Sequence, residues 1–95
     1  MVGNYLLSYT YFDEEKYEKG EYPICYCPVD NFKTLKEAKQ IIKNYVSNNQ
    51  NVLFLNFFIY KWSVMYIDGE KYEGYFDKKY IKTIRKIEDF IGKGK

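Results

Sequence analysis

The sequence predicts one small α+β domain: an antiparallel sheet of about four strands with two helices on one face, in the order β-β-α-β-β-α. Three observations lead there. Ninety-five residues are too few for a second domain. Residues 4–12 and 52–67 carry the alternation and the β-branched and aromatic content of strands, and residues 34–46 repeat their apolar side chains at helical spacing. With 46% hydrophobic and 21% aromatic residues the chain has ample material for a core. Residues 1–95 are expected to form that single domain, with 92–95 as a frayed tail.

The first strand is read from Tyr5, Leu7, Tyr9 and Tyr11, which share one face, while Leu6, Ser8, Thr10 and Phe12 share the other. Asp13 to Gly20 is charged and ends in glycine, so a polar hairpin loop is expected there. Tyr22-Pro23-Ile24-Cys25-Tyr26-Cys27 should return as the second strand. Pro23 lacks an amide donor and favours an edge or a strand start. Pro28 to Phe32 read as a connector.

Thr34-Leu35-Lys36-Glu37 matches the capping box, in which a hydroxyl and a carboxylate satisfy the first amides of a helix. Leu35, Ala38, Ile41, Ile42, Tyr45 and Val46 follow on one face, and Ser47-Asn48-Asn49 ends the run. Val52 to Ile67 is long for one strand, and the absence of turn residues favours a single strand bent near Lys61-Trp62-Ser63. Asp68-Gly69 is a strong hairpin signal, so Glu70 to Phe76 should pair antiparallel with Trp62 to Ile67. Asp77 is expected to cap a last helix with an apolar stripe of Tyr80, Ile81, Ile84, Ile87, Phe90 and Ile91, closed by Gly92.

Composition narrows the function classes. There is no histidine, and only three serines, three threonines and two cysteines stand available for nucleophilic or acid–base chemistry. No enzyme is expected. Glycines occur in no phosphate-loop context, and Cys25-x-Cys27 cannot complete a four-ligand zinc site without histidine or further cysteines. No cofactor and no metal are expected, and the two cysteines read as small reduced thiols. The longest apolar run, Val52 to Tyr60, is interrupted by Asn56 and falls far short of the ~20 residues of a spanning helix. Met1-Val2-Gly3-Asn4 lacks the positive segment of a signal peptide. A cytoplasmic protein without membrane contact is the expectation.

The net charge of +2 conceals a division. Residues 1–30 hold six acids against two lysines, and residues 31–95 hold thirteen bases against seven acids. Two surfaces follow from this. Tyr11, Asp13, Glu14, Glu15, Tyr17, Glu18 and Tyr22 interleave acid with aromatic contact area and would suit a protein partner with a basic surface. Lys36, Lys39 and Lys43 stripe the first helix, and Lys78, Lys82, Arg85 and Lys86 would share the exposed side of the second. Such rows can neutralise nucleic-acid phosphates. A single arginine and a pI near 8.4 argue against that use.

Phe, Tyr, Met, Ile, Asn and Lys, all with AT-rich codons, supply fifty-one of the residues. A short, tyrosine-laden, catalytically bare domain of this kind fits a virus or mobile element that binds one host protein. The leading expectation is a non-enzymatic protein-binding module, an inhibitor of a host factor or defence complex. A nucleic-acid-binding protein and a homodimer that pairs sheet edges or buries surplus aromatics are the alternatives.

Overall fold

The computed structural model describes residues 4–90. In chain order, β1 (Tyr5–Phe12), α1 (Glu14–Glu18), β2 (Ile24–Phe32), α2 (Leu35–Asn48), β3 (Leu53–Ile67) and β4 (Glu70–Thr83) are followed by a 3-10 turn at Ile87–Asp89. The strands form one sheet in the order β2-β1-β3-β4, antiparallel throughout. The α+β fold read from the sequence, four antiparallel strands with two helices in one small domain, is the fold observed.

Alternation along β1 creates two unlike faces. Leu7 and Tyr9 turn toward α2 and meet Ala38 and Ile42 from the helix and Phe54, Phe57 and Ile59 from β3. Tyr9 is the hub of this core, its ring centroid 5.1 Å from Phe54, 5.3 Å from Phe57 and 5.5 Å from Tyr45. The even positions of β1 turn to the opposite face, which α2 does not cover and which α1 reaches at one end, where Tyr17 packs on Phe12. On that face Ser8 lies between Pro28 and Phe58 in the sheet.

Local chemistry explains the helices. Thr34 Oγ1 accepts from the Glu37 amide at 3.1 Å, and Glu37 Oε1 reaches back to the Lys33 amide at 3.2 Å, so the capping box reciprocates one residue earlier than its standard form. Asn49 Nδ2 donates to the Tyr45 carbonyl at 2.9 Å and closes the other end. The charged loop after β1 contains α1, a single turn, because Asp13 Oδ1 accepts from the Glu15 and Lys16 amides.

Three local expectations are corrected. Pro28 to Phe32 are strand, not connector. β2 is an edge strand, so Pro28 deprives no neighbour of a donor, and Val29 is the extra residue of a bulge between the Leu7–Asp30 and Ser8–Pro28 pairs. The second helix is α1, and the segment from Asp77 is not helical. It continues β4 to Thr83, with Asp77 opposite Lys61, Tyr80 opposite Ile59 and Ile81 opposite Phe58. The spacing of Tyr80, Ile81 and Ile84 serves either period, and the unpaired side of β3 supplies backbone partners that a helix would forgo. Ile87 and Phe90 follow the strand, Ile87 in the 3-10 turn and Phe90 just beyond it. Ile91, Gly92 and the expected frayed tail 92–95 lie outside the described residues. Third, Leu53 to Ile67 is one strand, as expected, with one bulge of its own at Leu55, between the Thr10–Asn56 and Tyr11–Phe54 pairs, and two irregularities that come from β4. Phe76 and Lys79 are the extra residues, at the shifts beside Trp62 and Tyr60.

Candidate interaction surface

β1 has eight residues and β3 has fifteen, and the difference produces the most conspicuous feature of the molecule. The first residue of β1, Tyr5, pairs with Lys61, and the Trp62 amide donates to the Asn4 carbonyl at 2.7 Å. Beyond that point, among the described residues, β3 and β4 run on as a two-stranded arm. Its tip is the Asp68–Gly69 turn, with φ of 51° and 82°. Two consecutive positive φ values are the mark of a type I′ turn, whose twist matches that of the strands it joins.

A ribbon two strands wide has no layer against which to bury its side chains. Val64, Met65, Tyr66, Ile67 and Tyr72 are accordingly exposed, Tyr66 by 68%. Alternation puts Trp62, Val64 and Tyr66 on the side away from α2, opposite Tyr75, Glu73 and Lys71, and puts Met65 and Ile67 on the other, opposite Tyr72 and Glu70. On the side away from α2 the row continues down β3 into the body through Tyr60 and Phe58, whose rings are 6.3 Å apart. Five successive positions on one face are thus apolar or aromatic. Tyr75 meets Trp62 edge-on at 5.1 Å, and its hydroxyl accepts from Asn31 Nδ2 at 2.7 Å, which ties the base of the arm to β2. The far end of this face is closed by Phe90, stacked on Phe12 at 4.8 Å. Near the middle, Ser8 is fully buried and its hydroxyl has no hydrogen-bond partner.

The acidic candidates are brought together at the opposite end. Tyr11, Asp13, Glu14, Glu15 and Glu18 line one open cleft with residues 51–53. Asp13 is committed to capping α1, and Glu15 lies 4.0 Å from Lys19. Tyr17 leaves this group to pack on Phe12 at 5.5 Å, and Tyr22 stands exposed before β2. No three acidic, cysteine or histidine residues are placed to hold a metal among the described residues.

The lysine candidates are dispersed. Lys36, Lys39 and Lys43 do share one side of α2, and Lys39 sits over the Tyr80 ring at 4.4 Å. A strand in place of the expected helix breaks the second set. Lys82, opposite Phe57, faces α2; Lys78, opposite Tyr60, faces away, with its ammonium 5.8 Å from the Phe58 ring. Arg85 and Lys86 follow the strand, near Leu55 and Asn56. No contiguous basic stripe of seven residues results.

Cys25 and Cys27 are free, half-buried and opposite Tyr11 and Tyr9. Burial, followed by hydrogen bonding with Cys27 and Tyr45, holds the Tyr9 phenol well above its ordinary range. Hydrogen bonding with Cys25 raises Tyr11 in the same sense. These tyrosines are neutral packing groups and offer no base near neutrality.

The arm residues Val64, Met65, Tyr66, Ile67 and Tyr72 escaped the sequence reading, although a signal existed. An apolar stretch of sixteen residues cannot be matched along its length by a first strand half as long, so part of it must overrun the sheet. No family model, no curated protein and no solved structure matches this chain. No helix among the described residues is long and apolar enough to cross a membrane.

Proposed function

We propose that the protein is a non-catalytic protein-binding module that inserts its β3–β4 arm into an apolar groove with a basic rim on its partner. The observation that carries this reading is the row that runs from half-buried Phe58, Tyr60 and Trp62 to exposed Val64 and Tyr66, backed by exposed Met65, Ile67 and Tyr72 on the arm's other side. Side chains exposed on both faces of a narrow ribbon fit a cleft that closes around it better than a flat surface. Residues 62–75 contain Asp68, Glu70 and Glu73 against Lys71 alone, which favours cations at the rim of the groove. Blocking a groove requires occupancy and no chemistry, in keeping with the inhibitory role expected from composition. The acidic cleft at α1 is a secondary contact in this reading.

The same face also presents rings on which bases could stack, but its cations among the described residues are scattered: Lys71, offset by Glu73, on the arm, Lys78 beside Phe58, and Arg85 6.0 Å from the Phe90 ring at the far end. A single-strand platform needs a cationic track for the phosphates. The protein reading is therefore preferred.

A photo-crosslinking residue in place of Tyr66 should capture one partner from host extract, and the same residue in place of Lys43 should not. Val64→Lys with Tyr66→Lys should abolish capture by an affinity-tagged chain. Reversal of Glu14, Glu15 and Glu18 should weaken it only slightly. A partner held equally well by the double-lysine variant would remove the arm from the reading.

A further inference from the structure

We infer that two copies of this chain pair through the β3 edge of the arm, Ser63 to Ile67 aligned antiparallel with Ser63 to Ile67 about a two-fold axis at Met65. This goes beyond the partner reading above, because it concerns the backbone edge of the arm rather than its faces.

The inference begins with which edges the sheet leaves open. Along β4 the outer edge carries Lys71, Lys78, Lys79 and Lys82 together with two bulges, and along β2 it carries Pro28 and a bulge. These are the devices that keep sheet edges from adding further strands. Among the described residues, the step where β1 begins leaves a third edge with none of them. From Ser63 to Ile67 the side chains are uncharged and, after Ser63, β-branched or large, with no proline, and β3 itself is regular there.

Hydrogen-bond direction makes the register specific. The Trp62 amide points toward β1, where it meets the Asn4 carbonyl. In a regular strand alternate residues point their amide and carbonyl the same way, so Val64 and Tyr66 direct theirs to the lane beyond the start of β1, while Ser63, Met65 and Ile67 face β4. A two-fold axis at Met65 sets Val64 of one copy against Tyr66 of the other. Those two residues then exchange both backbone bonds, and the axis repeats the exchange. Val64 against Tyr66 is also a favourable β-branched–aromatic cross-strand pair.

Charge agrees with this register. The paired segment is neutral, so two copies bring no like charges together. Each Asp68 turn is carried to the end of the other copy's arm, beside exposed Lys61. The pairing is isologous and closes at two copies, because each arm has one such edge.

Sedimentation velocity on the purified full chain, from micromolar to near-millimolar, should show a reversible rise from monomer to dimer. Val64→Pro removes a donor that β4 does not use, and should keep the fold by circular dichroism yet remain monomeric. Val64→Thr, which retains the amide and the branched shape, should associate like the native chain. Hydrogen exchange on the native chain needs no variant: protection of the Val64 and Tyr66 amides should rise with concentration, and that of Met65 should not. A chain starting at Asn4 should associate equally well, and loss of association there would move the contact away from this edge. A monomer at every concentration, or a dimer indifferent to Val64→Pro, would overturn the inference. Either result would leave capture by the Tyr66 crosslinker unaffected.

Discussion

Replacing Ser8 by alanine should make the protein more stable. Ser8 has no exposed surface, and its hydroxyl finds no hydrogen-bond partner. Leaving a buried hydroxyl unpaired costs roughly 1–3 kcal/mol relative to its hydration in the unfolded chain. Alanine removes that group and nearly preserves the volume. Its weaker preference for strands takes back a part of the gain, on a scale that spans only ~1 kcal/mol in total. The net expectation is a gain of about 1 kcal/mol, which for a domain of this size raises Tm by about 4–8 °C. Thermal unfolding followed by far-ultraviolet circular dichroism measures the shift, and urea unfolding at constant m separates stability from a change in the denatured state. An unchanged or lowered Tm in Ser8→Ala would refute the reasoning, because it would mean that the hydroxyl is satisfied in solution.

Other substitutions probe the core, the turn and the phenols. Phe57 is fully buried among Tyr9, Phe54 and Tyr45, so Phe57→Ala should cost about 3–5 kcal/mol, measured as a lower urea midpoint or outright loss of the folded signal. Gly69 sits at φ of 82°, where a side chain is strained though no atom crowds it, so Gly69→Ala should cost about 1 kcal/mol and lower Tm without altering the sheet spectrum. Tyr9 holds its proton more tightly folded than unfolded. Stability is therefore full below the ordinary phenol value of 10.0 and declines as pH climbs from there toward the raised folded value. Urea midpoints measured above that pH should fall, and the fall should be shallower in Tyr9→Phe.

Elements governed by neighbours in sequence were legible. The Thr34–Glu37 box, the Asp68–Gly69 turn and the alternation of β1 rest on contacts within a few residues, and each stands where the residues place it. Elements decided by distant partners were not. Residues 77–84 satisfy a helical and an extended pattern equally, and the unpaired side of β3, some twenty residues away in sequence, chooses between them. The same error carried Lys78 and Lys82 to one face, when a strand with a bulge at Lys79 sends them to opposite ones. In the candidate site, the acidic cluster is local and five of its seven residues do share a cleft. The arm is a comparison of two strand lengths, which no window of consecutive residues contains.

The arm also has consequences for how such a sequence can change over generations. Its backbone ladder is internal to β3 and β4, and its tip contributes nothing to the cluster of Leu7, Tyr9, Ala38 and Phe57 on which the body depends. Residues 63–73 can therefore be rewritten at little risk to the rest. In the proposed binding role the body would serve as a fixed handle and the arm as an exchangeable bit, a new target requiring a new tip and leaving the handle as it is.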